Sequence, residues 1–336
     1  ADDPFLRHSL GKRLMTQTNL FLVETPLQLI CAQEARDRFC KGERNHLLVL
    51  RRGTGESPVY RKTVLEIDDG WTRVTHVHER TRRGLGRSLN RLWWTLVILA
   101  RHGPVRGKVF LASAFRDWHS TLARLFGREV TWIDDGTSSI GHLNRFSGSA
   151  YLSSPNHTTP KFFTIFGTPE LERESNGAIV QNMLSTRRTE QGSRLTDPGK
   201  VWFLGQPISQ IGALSEEDEL TLLENIFEEA GRDKTIVYVP HGAEKDDKLD
   251  RISRFCSLYR PDFCVESALR ETDALPGSVM SWCSTGLFTI KLLFPQIVVS
   301  AVQIPYDGTP KEKCEQLERV YRHYAQFGIS IWFRDR

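Results

Sequence analysis

The chain has few cysteines for its length, and none follows a metal-binding or disulfide pattern. Six cysteines are spread over 336 residues. They occur without a CxxC pair or the His-rich spacing of a zinc site. Four lie in apolar or helical surroundings, where a free thiol behaves as a small hydrophobic group. We therefore expect a reducing compartment rather than a disulfide scaffold. The six are Cys31, Cys40, Cys256, Cys264, Cys283 and Cys314.

Long hydrophobic runs are also lacking. The apolar stretch at residues 92–100 is too short for a transmembrane helix, which needs roughly 20 apolar residues. Residues 1–14 have no apolar signal-peptide core, and we interpret them as an expression remnant or a loose extension outside the fold. Gly84-Leu85-Gly86 lacks the third glycine of a dinucleotide-binding loop, which excludes that kind of site.

Neither sign of charge dominates the whole chain, which has 45 basic and 41 acidic residues. Positive charge is concentrated at residues 79–108, where the single acid is Glu79. This stretch predicts either a core-facing helix with a solvated basic side or a surface for anionic lipid or an anionic acceptor. No nucleic-acid recognition motif accompanies it, so we expect no nucleic-acid partner. Trp93 and Trp94 would suit a homodimer interface. The basic residues are Arg80, Arg82, Arg83, Arg87, Arg91, Arg101, Arg106 and Lys108.

The sequence does contain a regular alternation of strand-like and helical segments. Its 39% hydrophobic and 26% charged residues are typical of a globular protein, and its length suits two domains. The alternation predicts βαβ units with parallel sheets, an α/β fold of two domains facing a cleft. Strand-like runs occur at residues 20–23, 46–50, 74–78, 108–111, 130–133, 201–204, 235–239, 263–266, 279–282 and 297–304.

An acidic motif, Asp134-Asp135-Gly136, follows one of these strand-like runs. Parallel strands deliver such residues to the sheet edge where open α/β folds bind ligands. A desolvated carboxylate there could act as a general base. Alternatively, Asp135 caps the following helix, or both acids hold Mg²⁺, although no third ligand is identifiable.

Two further motifs end strand-like runs in the second half. His241, between Pro240 and Gly242, could donate a proton or hydrogen bond to a leaving phosphate, or it could be an ordinary polar loop residue. Ser284 and Thr285 precede a helix, so their hydroxyls and the helix amides could bind an anion. The alternative for this pair is an ordinary N-cap.

The order of these motifs resembles that of the bacterial lipooligosaccharide sialyltransferases, glycosyltransferase family 52. The resemblance extends over residues 19–305 as a series of short blocks. One departure is visible: Gly242 and Ala243 follow His241, where the family has proline and often arginine. The blocks are Thr25-Pro26-Leu27-Gln28, Asp134-Asp135-Gly136, Gly205-Gln206-Pro207, Tyr238-Val239-Pro240-His241, Glu244-Lys245 and Ser284-Thr285.

The resemblance implies a GT-B fold of two Rossmann-like domains around a central cleft. We expect an acceptor-side domain at 15–155, an irregular linker at 156–200 and a nucleotide-donor domain at 201–310. A C-terminal helix and tail at 311–336 would pack back on the N-terminal domain. The implied location is the cytoplasm, with peripheral contact at the anionic inner face of the bacterial inner membrane.

The resemblance also implies an inverting, metal-independent transfer of sialic acid from CMP-sialic acid to a galactose-terminated glycan. No cofactor is expected. Asp134 would be the general base and His241 would assist CMP departure. The alternatives are a different nucleotide-sugar donor on the same fold, or a catalytically idle glycan-binding or assembly protein. Implied donor-binding residues are Gly136, Gly205, Gln206, Pro207, Pro240, Gly242, Glu244, Ser284 and Thr285; implied acceptor or first-loop residues are Thr25, Pro26, Gln28 and Asp135.

Overall fold

The computed structural model describes most of the chain, apart from the first 17 residues, the last four and several short internal segments. The described residues are 18–52, 57–79, 85–102, 107–112, 117–126, 129–146, 160–188, 194–305 and 311–332. Residues of the sequence analysis that lie outside them are 1–14, Arg80, Arg82, Arg83, Gly84 and Arg106.

The N-terminal domain is built on a parallel sheet that has seven strands within the described residues. Its strand order is β3-β2-β1-β4-β5-β6-β7, so the order reverses between β1 and β4. Such a reversal opens a crevice at the carboxyl ends of the strands, where open α/β sheets bind ligands. The strands are β1 (Thr18–Val23), β2 (Arg44–Arg52), β3 (Arg73–Glu79), β4 (Lys108–Leu111), β5 (Glu129–Ile133), β6 (Phe162–Thr164) and β7 (Ile179–Gln181).

Helices cover both faces of this sheet, which explains why β1 is buried along almost its whole length. One face packs in a cluster with Ile98 and Leu122, and the other belongs to the main core of the molecule. The helices are α1 (Pro26–Phe39), α2 (Pro58–Leu65), α3 (Leu85–His102), α4 (Asp117–Phe126), α5 (Ser138–Phe146), α6 (Pro169–Glu174) and α7 (Ser185–Arg188).

The C-terminal domain repeats the architecture with a six-stranded parallel sheet in its described part. Its order is β10-β9-β8-β11-β12-β13, with the reversal between β8 and β11. The strands are β8 (Thr196–Leu204), β9 (Thr235–Val239), β10 (Ser257–Leu258), β11 (Leu275–Ser281), β12 (Val298–Val302) and β13 (Ser330–Trp332). The helices are α8 (Glu216–Ala230), α9 (Asp246–Ile252), α10 (Val265–Glu271), α11 (Thr285–Leu293) and α12 (Lys311–Gln326).

The two domains share one continuous apolar core. The rings of Phe166, from the loop after β6, and Phe288, on α11, meet edge to face with centroids 4.8 Å apart. Helix α12 contacts α5 of the N-terminal domain, while β13 extends the C-terminal sheet. The predicted GT-B architecture, with two Rossmann-like domains facing each other, is confirmed.

Two sequence predictions are wrong in detail. The predicted linker at 156–200 contains β6, α6 and β7 of the N-terminal sheet, and β8 already begins at Thr196. Strands β6 and β7 have only three residues each, which is too few to show the alternation of apolar and polar residues by which a strand is recognised in a sequence. The run at 263–266 is not a strand: Cys264 is the N-cap residue of α10, and Val265 packs against the core from the first turn of that helix.

No helix in the described part of the chain is both long and apolar enough to cross a membrane.

Candidate active site

The loop after β1 places Gln28 beside the acidic motif. Thr25 has an extended backbone and its hydroxyl accepts a hydrogen bond from the Gln28 amide at 3.3 Å, while Pro26 occupies the first turn of α1. The Gln28 side chain is buried; its Oε1 accepts from the Glu24 amide at 2.6 Å and its Nε2 donates to Asp135 Oδ1. The Thr-Pro-Leu-Gln block therefore starts α1 and orients the second acid of the motif.

The first acid, Asp134, is enclosed in the N-terminal domain and is only 1% exposed. Thr164 Oγ1 donates to its Oδ1 at 2.6 Å, and the Ile165 amide donates to its Oδ2 at 2.7 Å. Burial raises the pKa of Asp134 to about 7, because loss of hydration outweighs the hydrogen bonds that favour its charged form. Asp134 is thus poised to change protonation near neutral pH, but its oxygens are already engaged.

The second acid, Asp135, is half-buried and lies at the start of a tight turn. The Asp135 amide donates to Ser139 Oγ at 2.9 Å, and Ser138 Oγ donates to the Asp135 carbonyl at 2.7 Å. Gly136 has a φ of +75°, a conformation that favours glycine. This turn brings Asp135, rather than Asp134, to the partly accessible surface.

The turn touches the Ser-Thr motif of the other domain. The Thr137 amide donates to Thr285 Oγ1 at 2.9 Å, and a Cβ added at Gly136 would lie 3.1 Å from the same oxygen. The structure therefore brings together two motifs that are about 150 residues apart in sequence.

The Ser-Thr motif also forms the start of α11. Ser284 is the N-cap residue, and its hydroxyl accepts from the Gly286 amide at 3.1 Å. Tyr324 Oη donates to the Ser284 carbonyl at 2.8 Å, which ties the motif to α12. A hydroxyl that accepts one hydrogen bond still carries its own hydrogen, so the Ser284 and Thr285 hydroxyls could each donate to a phosphate oxygen.

The histidine loop follows β9 and is held by its own backbone. The His241 amide donates to Glu244 Oε2 at 2.7 Å, and the Ala243 amide donates to His241 Nδ1 at 3.1 Å. Because Nδ1 accepts, the neutral ring carries its hydrogen on Nε2. The residue is exposed, but protein atoms around the ring remove part of its hydration, and this loss lowers the pKa of His241. The positive charges of Lys62 and Lys248 lower the pKa further. His241 is therefore a neutral donor through Nε2–H.

A buried lysine that the sequence analysis missed supports this loop. Lys248 on α9 is fully buried and its Nζ donates to Glu244 Oε1 at 2.7 Å and to Glu219 Oε1 at 2.5 Å. Tyr238 Oη donates to the same Glu244 oxygen at 2.7 Å. Glu244 lies before the start of α9 and Glu219 lies on α8, so no spacing within one helix indicated this cluster.

The Gly205-Gln206-Pro207 block lies against this cluster and has no described contact with the acidic turn. The Gly205 amide donates to the Val239 carbonyl at 2.8 Å, and Lys248 Nζ donates to the Gln206 carbonyl at 3.3 Å. A Cβ at Gly205 would collide with the Glu244 carboxylate. Only glycine allows the loop after β8 to lie this close to Glu244 and Tyr238, which hold the histidine loop.

A second bridge between the domains lies at the end of α2. Ser267 Oγ donates to Glu66 Oε2 at 2.7 Å, and Cys264 Sγ lies 3.1 Å from Glu66 Oε1. Lys62, which lies on α2, is close enough for its positive charge to lower the pKa of His241. The N-terminal domain thus faces the C-terminal domain through α2 as well as through the acidic turn.

A cavity of about 890 Å³ opens at the domain boundary beside the acidic turn and the Ser-Thr motif. It is lined by Thr137 and Cys283, by Ile211 and Ala213, and by residues of α5 and α12. The candidate site residues Asp134, Asp135, His241, Ser284 and Thr285 do not line it. Across the described residues, no group of three or more His, Cys, Asp or Glu side chains is placed to hold a metal ion.

Comparison with known proteins gives structural likeness only. No protein-family model matches the sequence, and no curated protein gives a significant match. An alpha/beta-galactoside alpha-2,3-sialyltransferase from the luminous marine bacterium Photobacterium phosphoreum is 11% identical with a TM-score of 0.49, covering 94% of this chain and 98% of that one.

Two other solved structures show likeness of similar extent. A UDP-GlcNAc 2-epimerase from Methanocaldococcus jannaschii in complex with UDP-GlcNAc and UDP has 11% identity and a TM-score of 0.49, covering 92% of each chain. An E. coli heptosyltransferase with ADP has 13% identity and a TM-score of 0.42, covering 85% of this chain and 86% of that one. These values assign no activity, so a functional proposal depends on the site.

Proposed function

We propose that this protein is an inverting glycosyltransferase that moves sialic acid from CMP-sialic acid to a galactose-terminated (lipo)oligosaccharide without a metal ion. The observation that carries the proposal is the contact of the Thr137 amide with Thr285 Oγ1. It joins a turn that bears carboxylates to a helix start that bears two hydroxyls. A base on one domain and phosphate-binding groups on the other are what transfer from a CMP-sugar needs.

Groups of the C-terminal domain would stabilise the negative charge that develops on the leaving phosphate. The bond from the anomeric carbon to the phosphate oxygen breaks, and its electron pair stays on CMP. His241 Nε2–H and the Ser284 and Thr285 hydroxyls would donate to that oxygen or its neighbours. Fixed donors of this kind stabilise developing charge without reorganising during the reaction. The lowered pKa of His241 favours hydrogen-bond donation over complete proton transfer.

The acid pair would remove the proton of the attacking hydroxyl. The motif resemblance assigns this step to Asp134, and a pKa of about 7 suits a base. Exposure favours Asp135, since Asp134 is 1% exposed with its oxygens engaged by Thr164 and Ile165. We therefore assign proton removal to Asp135, oriented by Gln28, and a positioning role to Asp134.

The test is release of CMP from CMP-sialic acid in the presence of a galactoside acceptor, with EDTA throughout. Loss of a phosphate contact in His241→Ala should lower kcat about 10²–10³-fold. Loss of the base in Asp135→Asn should lower it about 10²–10⁴-fold. The exposed Asp247→Asn variant on α9 serves as the control and should retain full activity. Full activity of Asp135→Asn with an inactive Asp134→Asn would return the base to Asp134.

A second candidate keeps the fold and the reaction but uses another nucleotide-sugar donor. It is favoured by the His241-Gly242-Ala243 loop, where a Cβ at Gly242 would meet nothing within 4 Å and neither of the two residues directly after the histidine is cationic. Activity with a different nucleotide sugar, and none with CMP-sialic acid, would select this candidate. Binding of donor without CMP release or transfer would instead support an idle glycan-binding protein.

A further inference from the structure

The cavity at the domain boundary takes no part in the proposed transfer, yet it has the size of a ligand site. Its volume of about 890 Å³ lies in the range of roughly 300–1,000 Å³ that small-molecule sites occupy in proteins. The N-terminal domain contributes Thr137 and the first half of α5 to its wall, and the C-terminal domain contributes Cys283, the loop after β8 and α12. A molecule bound there would therefore contact both domains at once.

Part of the cavity wall is apolar. Water finds few hydrogen-bond partners along such a wall, so the apolar part of a ligand is favoured there. Gly141 on α5 adds open space, because a Cβ at this position would meet nothing within 4 Å. The apolar side chains of the wall are Ile140, Ile211, Ala213, Leu317 and Val320.

The polar part of the wall is positively charged. Lys313 and Arg319 of α12 line the cavity, whereas no acid does so among the residues that the structure describes. Lys313 Nζ donates to the Ile211 carbonyl, which holds the ammonium group at the wall. Arg319 is half-buried, and no carboxylate in the described part of the chain forms an ion pair with its guanidinium. The positive end of α5, at Ser138, adds to this charge, so the wall favours an anionic group.

We propose that this cavity binds a small organic anion with an apolar body, at a site separate from the residues of the proposed transfer. The anionic group meets Arg319 and Lys313, and the apolar body lies against the aliphatic side chains of α5, α12 and the loop after β8. Because α5 and α12 belong to different domains, the bound anion holds the two domains together. The inference is independent of the transfer, since neither the acids nor His241 nor the Ser-Thr pair lines the cavity.

The experiment is fluorescence titration of the full chain with two probes that share one ring system. Anilinonaphthalene sulfonate carries a negative charge, and phenylnaphthylamine has the same rings without the sulfonate. Gly141→Phe puts a ring into the open space of the cavity, and Gly141→Ala, which leaves most of that space, is its matched control. Arg319→Gln removes the charge from the wall. Its control is Arg322→Gln, at an exposed position of the same helix that does not line the cavity.

We expect Gly141→Phe to bind one molecule of the sulfonate probe fewer per chain than Gly141→Ala does. Arg319→Gln should bind the sulfonate probe about tenfold more weakly than Arg322→Gln, because it lacks a charge-assisted hydrogen bond. The uncharged probe should not distinguish these two arginine variants. The arginine pair decides the question if Gly141→Phe fails to fold.

Three results would overturn the proposal. The first is no binding of the sulfonate probe, or equal binding to Gly141→Phe and Gly141→Ala. The second is an equal loss of both probes in Arg319→Gln, which would show that charge does not select the ligand. The third is displacement of the bound sulfonate probe by CMP, which would make the cavity part of the donor site rather than a separate one.

Discussion

Replacing Asp134 with asparagine should make the protein more stable at alkaline pH while changing little at acidic pH. The neutral amide has nearly the shape of the acid, and its oxygen can still accept from the Ile165 amide. The amide nitrogen would face Thr164 Oγ1, whose hydroxyl can turn to accept. The substitution thus removes a titrating group and keeps most of its contacts.

The magnitude follows from the pKa of Asp134, which burial raises from 3.8 to about 7. The folded chain then binds a proton at Asp134 more tightly than the unfolded chain does. Its stabilising effect is fully present below pH 4 and is lost as pH rises through 7. The pKa difference corresponds to about 4 kcal/mol in the free energy of unfolding. Relative to the asparagine variant, the wild-type chain should lose about this amount between pH 4 and pH 8.

Urea denaturation at pH 5, 6, 7 and 8, followed by far-UV circular dichroism, measures this difference. The free energy of unfolding of Asp134→Asn minus that of the wild type should rise steadily over the series. The same substitution at the exposed Asp250 on α9 is the control for removal of a surface carboxylate. A pH-independent difference for Asp134→Asn would refute the claim that the acid is held protonated by burial.

Two further substitutions test the support of the histidine loop. Lys248→Met leaves two buried carboxylates without their cation, so it should lower the free energy of unfolding, measured by urea denaturation, by about 3–5 kcal/mol. Arg251→Met, which removes an exposed ion pair on the same helix, is the control and should leave the urea midpoint unchanged. Gly205→Ala puts a Cβ 2.6 Å from Tyr238 Oη and against Glu244, so both the melting temperature and CMP release should fall; unchanged values for both would contradict the close approach.

The local signals in the sequence predicted most of the fold because they act over short distances. A hydroxyl residue directly before a helical pattern indicates the start of a helix, and Thr25 and Ser215 are both N-cap residues of this kind. The Gln28 amide donates to Thr25 Oγ1 at 3.3 Å, and the Asp218 amide donates to Ser215 Oγ at 3.1 Å. The runs at 108–111, 130–133 and 235–239 form the predicted strands β4, β5 and β9. Such features depend on neighbouring residues, which a single sequence displays directly.

The partners inside the site could not be predicted, because tertiary packing decides them. Asp135 meets Gln28 across 107 residues, and Asp134 meets Thr164 across 30. Which of the two adjacent acids is partly accessible also depends on the turn at Gly136, whose φ of +75° no sequence pattern specified. The sequence could nominate the acidic motif but not divide the roles within it.

The change from proline to glycine after His241 is the clearest departure from the family that the chain resembles, and the structure gives it a physical account. A glycine would ordinarily loosen the loop. Here Glu244 fixes the His241 amide, Lys248 fixes Glu244, and the Ala243 amide fixes the ring through Nδ1. These contacts use two main-chain amides and a buried ion pair, none of which depends on the side chain at 242. The tautomer with its hydrogen on Nε2 therefore does not depend on the residue at 242. For the proposed transfer, we expect the change to alter which donor fits beside the ring rather than the ability of the ring to donate to a leaving phosphate.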